Sequence, residues 1–189
     1  MQKYDIVGKT FKNKKGIEFL VTKQEGKTNN GIACFEVVFS ESGYVAHGVT
    51  CGHIRSGEVK DYFSPSVFGV GCLGYAFGYA KRKESRRLYY TWRNMIRRCY
   101  DANYSKYHWY GEQRVTVCER WHRLDHFIED VIKLPGYDQA KFERNEIELD
   151  KDLLGCESKV YSPETCCFLS HSENNKEALY RRWHSNKNT

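Results

Sequence analysis

What this sequence has little of narrows the classes of protein it can encode. No apolar run approaches the ~18 residues that a membrane-spanning helix needs, so no membrane partner is expected. The stretch MQKYDIVGK at the N-terminus lacks the apolar core of a secretory signal, which makes a reducing, cytoplasmic location the expectation. In such a compartment eight cysteines are read as thiols rather than disulfide staples. No Cys-x-x-Cys pair occurs, so most of these thiols are expected in the core. One zinc arrangement stays open: Cys99, Cys118 and Cys166 or Cys167, with a histidine or Cys156 as the fourth ligand.

Acid is almost missing from one segment. Between Lys81 and Arg98 stand Lys81, Arg82, Lys83, Arg86, Arg87, Arg93, Arg97 and Arg98 against the single acid Glu84, a local excess larger than the +6 of the whole chain. A polyanion responds to such a concentration of charge, and contact with phosphates is the expectation.

What is present is enough for one sizeable core or two small units, and two are expected in 189 residues. Residues 1–75 carry strand-like runs, IEFLVTK, CFEVVFS and YVAHGVT, broken by KTNNG and SESG, which predicts a module of three short antiparallel strands. The glycine-rich stretch from Gly52 to Tyr75 keeps the same turn-heavy character. Residues 76–87 predict a basic linker. From Leu88 the periodicity becomes helical, with Trp92, Met95, Ile96 and Cys99 on one apolar stripe. The aromatic-rich stretch YDANYSKYHWY then predicts a loop. A second helix is expected over about Trp121–Ile132, with Leu124, Phe127, Ile128 and Val131 inward. The overall class is α+β, with a helical domain at residues 88–189.

The last third holds the densest chemistry. Alternation at Glu146, Ile147, Glu148 and Leu149 predicts a strand that runs into Asp150, Lys151 and Asp152. GCESK predicts a turn and VYSPETCCFLS a second extended piece. Ser170 and Glu173 match a capping box, Ser-x-x-Glu, which predicts a helix over about 171–183.

LYYTWRNMIRRCYDANY, YGEQRVTVCERW, LDKDLL and YSPETCCFLSHSENNK, taken in this order, resemble the phage-encoded HNH endonucleases and HNH homing endonucleases, across roughly residues 86–180. The first 75 residues resemble the AP2-like DNA-binding appendages of such proteins. The resemblance implies a ββα-metal unit, a divalent cation (Mg²⁺ or Mn²⁺), hydrolysis of a DNA phosphodiester, and a bacteriophage protein acting in its host's cytoplasm. Carried over position by position, Asp150 and Asn174 match the metal-holding aspartate and the helix asparagine. The base histidine is replaced by Lys151 and the asparagine that orients it by Thr165.

Lysine keeps its proton at neutral pH and is a poor general base, so Lys151 reads as a phosphate clamp or transition-state stabiliser. His171, three residues before Asn174, is the alternative base, and Asp152 is either a second carboxylate on the cation or a turn residue. Two readings therefore stand: a metal-dependent DNA endonuclease or nickase, and a catalytically inactive relative that acts by occupying DNA or a host protein. A third class, a phage inhibitor that binds protein alone, is distinguished by the absence of nucleic-acid binding.

Overall fold

The computed structural model describes residues 5–79, 86–155 and 158–176, and the chain divides into two compact units, 1–64 and 65–189. The fold is α+β. Among the described residues no helix is long and apolar enough to cross a membrane.

The first unit is an antiparallel meander of β1 (Thr10–Lys12), β2 (Glu18–Lys27), β3 (Ala33–Phe39) and β4 (Val45–Thr50), paired in that order. The three expected strands are present, and β1 adds a fourth along the edge of β2, with Phe11 opposite Phe19. Phe19, Val21, Phe35, Val37 and Phe39 are fully buried, the period-2 outcome of alternating apolar side chains. Two register shifts in β2, between Val21 and Lys23 and between Gln24 and Gly26, reset which side chains face outward along its second half.

Where turns are expected, a helix follows β4. It is α1 (Cys51–Ser56), capped by the Thr50 hydroxyl, which accepts from the His53 amide, and ended by Gly57 in the left-handed region at φ 67°. A Cβ on Gly57 would lie 3.1 Å from the Lys14 amide, so glycine answers both the conformation and the close approach. Six residues are too few to show a helical period, whereas Thr50 and Gly57 mark its two ends. Asn13 is buried and fully employed. Its amide donates to the Val59 carbonyl, and its oxygen accepts from the amides of Lys15 and Ile17.

The second unit begins at Pro65, earlier than the boundary near residue 75 expected from composition. The reason is pairing: the Cys72 amide donates to the His122 carbonyl, the Leu124 amide to the Cys72 carbonyl, and the Tyr75 amide to Asp125. These bonds tie residues 65–79 to the second core. Of the expected basic linker, residues 80–85 lie outside the described residues, and Arg86 and Arg87 already belong to a helix.

That helix is α2 (Arg86–Tyr100), and it buries Trp92, Met95, Ile96 and Cys99 as the stripe predicts. Trp92 donates its indole N–H to the Trp121 carbonyl at 2.8 Å, which lets both fully buried indoles share one core without an orphaned donor. The second expected helix starts late. Residues Glu119–His122 form a 3-10 turn, and α3 runs only Leu124–Val131. The Asp125 carboxylate competes here, accepting from its neighbour's amide and from the Arg123 guanidinium. Pro135 and Gly136 then place the backbone against Phe168, whose amide donates to the Pro135 carbonyl. Any Cβ at Gly136 would collide with the Phe168 carbonyl.

After α4 (Gln139–Glu143) come β6 (Ile147–Asp150), α5 (Asp152–Gly155), β7 (Val160–Tyr161) and β8 (Cys167–Ser170). Of the expected turn at GCESK, Gly155 closes α5, Ser158 and Lys159 are irregular, and residues 156–157 lie outside the described residues. The single extended piece expected from VYSPETCCFLS is two strands with different partners. β7 pairs in parallel with β5 (Thr116–Val117), and β8 pairs antiparallel with β6. A Pro163-containing turn at residues 162–165 makes the change of partner.

Candidate functional site

β6 and β8 pair with Ile147 opposite Ser170 and Asp150 opposite Cys167, and helical residues 171–176 follow directly. The capping box closes as its residues dictate. The Ser170 amide and hydroxyl both donate to the Glu173 carboxylate, and the Glu173 amide donates back to the Ser170 oxygen. These bonds hold the Glu173 carboxyl below its ordinary range. The expected continuation over 177–183 lies outside the described residues.

Asp150 ends β6 and is buried, 8% exposed. Its Oδ1 accepts from the amides of Asp152 and Leu153 at 2.8 and 2.9 Å, so that oxygen caps the first turn of α5. Asp152 opens α5 and pairs with the Lys151 ammonium, which also lies 3.5 Å from the Ser158 carbonyl and 5.9 Å from the centre of the Tyr161 ring. The Lys151 side chain is only 11% exposed. A lysine held this way tethers α5 to the segment that leads into β7.

Thr165, which replaces the orienting asparagine, builds the turn between β7 and β8. Its hydroxyl donates to the Val160 carbonyl at 2.7 Å and accepts from the Ser162 amide at 3.1 Å. His171 places Nε2 2.7 Å from the Asn145 carbonyl and Nδ1 3.7 Å from the Glu148 carboxylate. Nε2 therefore donates to Asn145, and the ring is clamped across the start of β6. Asn145, at φ 65°, also accepts from Arg87 through its side chain. Asn174 is half-buried in the first turns after Ser170.

A divalent cation at this hairpin would need several unengaged oxygen donors. Asp150 has one carboxylate oxygen committed to backbone amides and Asp152 is neutralised by Lys151. Two of the three expected donors, Asp150 and Asp152, are thus already engaged within the protein. Among the described residues, the one group of three His, Cys, Asp or Glu side chains whose ligand atoms come within 4.8 Å of each other is Glu25, Glu36 and His47, on the sheet of the first unit. The sequence reading named none of these three, which lie on three different strands.

Cys99, Cys118 and Cys166 do not gather into such a group, and Cys156 lies outside the described residues. Burial pushes the Cys99 and Cys166 thiols up to about 12 and raises Cys118 as well. The reading of most cysteines as core residues agrees with their burial.

The arginines of α2 are spoken for one by one. Arg93 lies over Phe68, Arg97 pairs with Asp101 and stacks on Tyr104, and Arg98 sits over Tyr110. Arg87 stacks on Phe142, and Arg86 is exposed. Lys81, Arg82 and Lys83 lie outside the described residues. Of the tyrosines in YDANYSKYHWY, Tyr104 and Tyr110 are covered by these guanidiniums, while Trp109 is 68% exposed. Cation–π contact costs an arginine none of its charge, so the face stays positive. Comparison of the chain with family models, with curated proteins and with solved structures finds no match.

Proposed function

We propose that the chain is a DNA-binding protein of the HNH endonuclease type, whose second unit engages the phosphate backbone and acts by occupancy. The observation that carries the reading is the strand–strand–helix order of β6, β8 and residues 171–176, entered through the Ser170–Glu173 box, in the same unit as the arginine-bearing helix α2. Binding is favoured over hydrolysis because the positions that would activate water are used for support. Lys151 is paired with Asp152, and Thr165 is built into a turn. A protonated amine cannot take a proton from water, but it can hold negative charge near it.

Retention of double-stranded DNA, titrated with salt, tests this reading. Arg93→Gln combined with Arg97→Gln is expected to weaken binding and to shallow the salt dependence by about two phosphate contacts. Unchanged affinity would reassign that face to solubility. A second reading, metal-dependent nicking, is favoured by the burial of the Asp150 carboxylate at the end of a strand. Plasmid incubated with Mg²⁺ or Mn²⁺ separates the two. An intact plasmid supports occupancy, and nicking that disappears in Asp150→Ala and Asn174→Ala supports the nuclease.

A further inference from the structure

Between α2 and β6 lies a cavity of about 260 Å³. Its helical wall is regular: Arg87, Tyr90, Thr91, Asn94 and Arg98 recur at helical spacing on a stripe beside the buried one. Each of these side chains offers a hydrogen-bond donor, and two are guanidiniums. The single acid in the lining is Glu148, which faces the Nδ1 of His171 at 3.7 Å.

Against these donors the lining sets one carboxylate and the phenol of Tyr161, with which Arg98 shares a hydrogen bond. The Nε of Arg87 is buried and has no hydrogen-bond acceptor. Buried polar atoms in folded proteins are almost always satisfied, and this one, sealed from the cavity space, is an orphan of the fold itself. Both guanidiniums are held in advance. Arg87 stacks 4.6 Å from the Phe142 ring centre with its Nη2 on Asn145, and Arg98 lies 5.4 Å from that of Tyr110. Fixed arginine forks suit a tetrahedral oxyanion, which accepts several hydrogen bonds at once.

We propose that the cavity between α2 and β6 is a phosphate-binding pocket, taking one phosphate group either from bound DNA or from a free nucleotide. The DNA source rests on the function proposed above, whereas the pocket itself does not. Pocket and backbone contacts would then act together: the pocket fixes register on one phosphate while the remaining arginines add sequence-independent attraction. The cavity is too small for a drug-sized ligand, in keeping with one nucleotide unit.

The test follows the Arg87 Nε–H signal by ¹⁵N NMR while full-length protein is titrated with inorganic phosphate, with a nucleoside monophosphate and with a short DNA duplex. Two variants accompany it. Asn94→Glu places an acid at the exposed mouth of the cavity, and Glu148→Gln removes the one acid already there. The expected result is a shift of the Arg87 signal with phosphate-bearing ligands, affinity about tenfold weaker in Asn94→Glu, and tighter binding in Glu148→Gln. With DNA as the source, the salt slope of duplex binding also falls by about one in Asn94→Glu. If duplex binds with normal salt dependence while the Arg87 signal stays still and Asn94→Glu changes nothing, the pocket is overturned and the DNA reading survives. If phosphate or mononucleotide moves the signal and duplex does not bind, the pocket stands as a free-nucleotide site and the DNA reading falls. Circular dichroism of both variants confirms that they are folded.

Discussion

Two clusters of charged side chains in this protein, one in each unit, reverse what their sequences suggest. In the first unit, Glu25, Glu36 and His47 come from three adjacent strands and lie on the surface of a sheet. His47 Nδ1 is 2.6 Å from Glu25, Lys23 is 2.9 Å from Glu36, and the Gly48 amide also donates to Glu25. In the second unit, Asp150, Lys151 and Asp152 are consecutive and largely withdrawn from water. The residues that look like a reaction centre in the sequence hold up a short helix and a turn. The residues that look unremarkable assemble into the ligand-like trio. Chemistry is decided by which lone pairs and protons are left over once the backbone has taken its share.

The largest expected effect falls on the buried cluster. Asp150→Ala removes the acceptor for two amides at the start of α5 and should cost about 2–3 kcal/mol in urea unfolding, whereas Asp150→Asn, which keeps an acceptor oxygen, should cost less than half of that. Equal losses would mean that the charge, and not the cap, is what the fold uses. Next is Lys151→Met. It leaves Asp152 without its cation but partly wet, and a loss of about 1–2 kcal/mol is expected, with faster amide exchange through α5 as the local sign.

Asp130 supplies an intermediate case. Arg120 holds its carboxyl below the ordinary aspartate range despite partial burial, and the Trp121 indole donates to it as well. A carboxyl with a depressed folded pKa contributes stability that is complete above the unfolded value near 3.9 and is lost as pH falls through the folded value. Asp130→Asn should therefore lower the unfolding free energy at pH 7 by about 1 kcal/mol and flatten the acid side of the stability profile. A profile as steep as that of the unmodified protein would assign acid sensitivity to other carboxylates. The smallest effect is expected in the first unit, where the lowered Glu36 carboxyl leans on an exposed Lys23 and on the Thr22 hydroxyl. Glu36→Gln should leave the urea midpoint at pH 7 within measurement scatter. A clear drop there would erase the contrast between the clusters.

Much of the fold was legible. The strands of the first unit follow from alternating Phe and Val, the α2 stripe from Trp92, Met95, Ile96 and Cys99, and the final helix start from Ser170 and Glu173. What could not be read was local structure governed by single polar groups. Asp150 starts a four-residue helix, Asp125 shifts α3 toward its C-terminal end, and Cys72 bonds with residues fifty positions away. The unit boundary slipped for the same reason, because residues 65–79 look like the module before them and pair with the one after. The candidate site divides similarly. Asp150, His171, Arg87 and Arg98 stand out in the sequence, whereas Thr91 and Asn94 join them only through a donor repeat at helical spacing along α2.

The sequence by itself determined where apolar side chains must be hidden and where a helix could begin, since those depend on periodicity and on neighbours a few residues apart. It also determined the surplus of positive charge along α2. Only the tertiary structure decided what each charged group is free to do. Free donors and acceptors are what remains after partners from distant strands and turns have been met, and such partners are brought together by packing rather than by spacing along the chain.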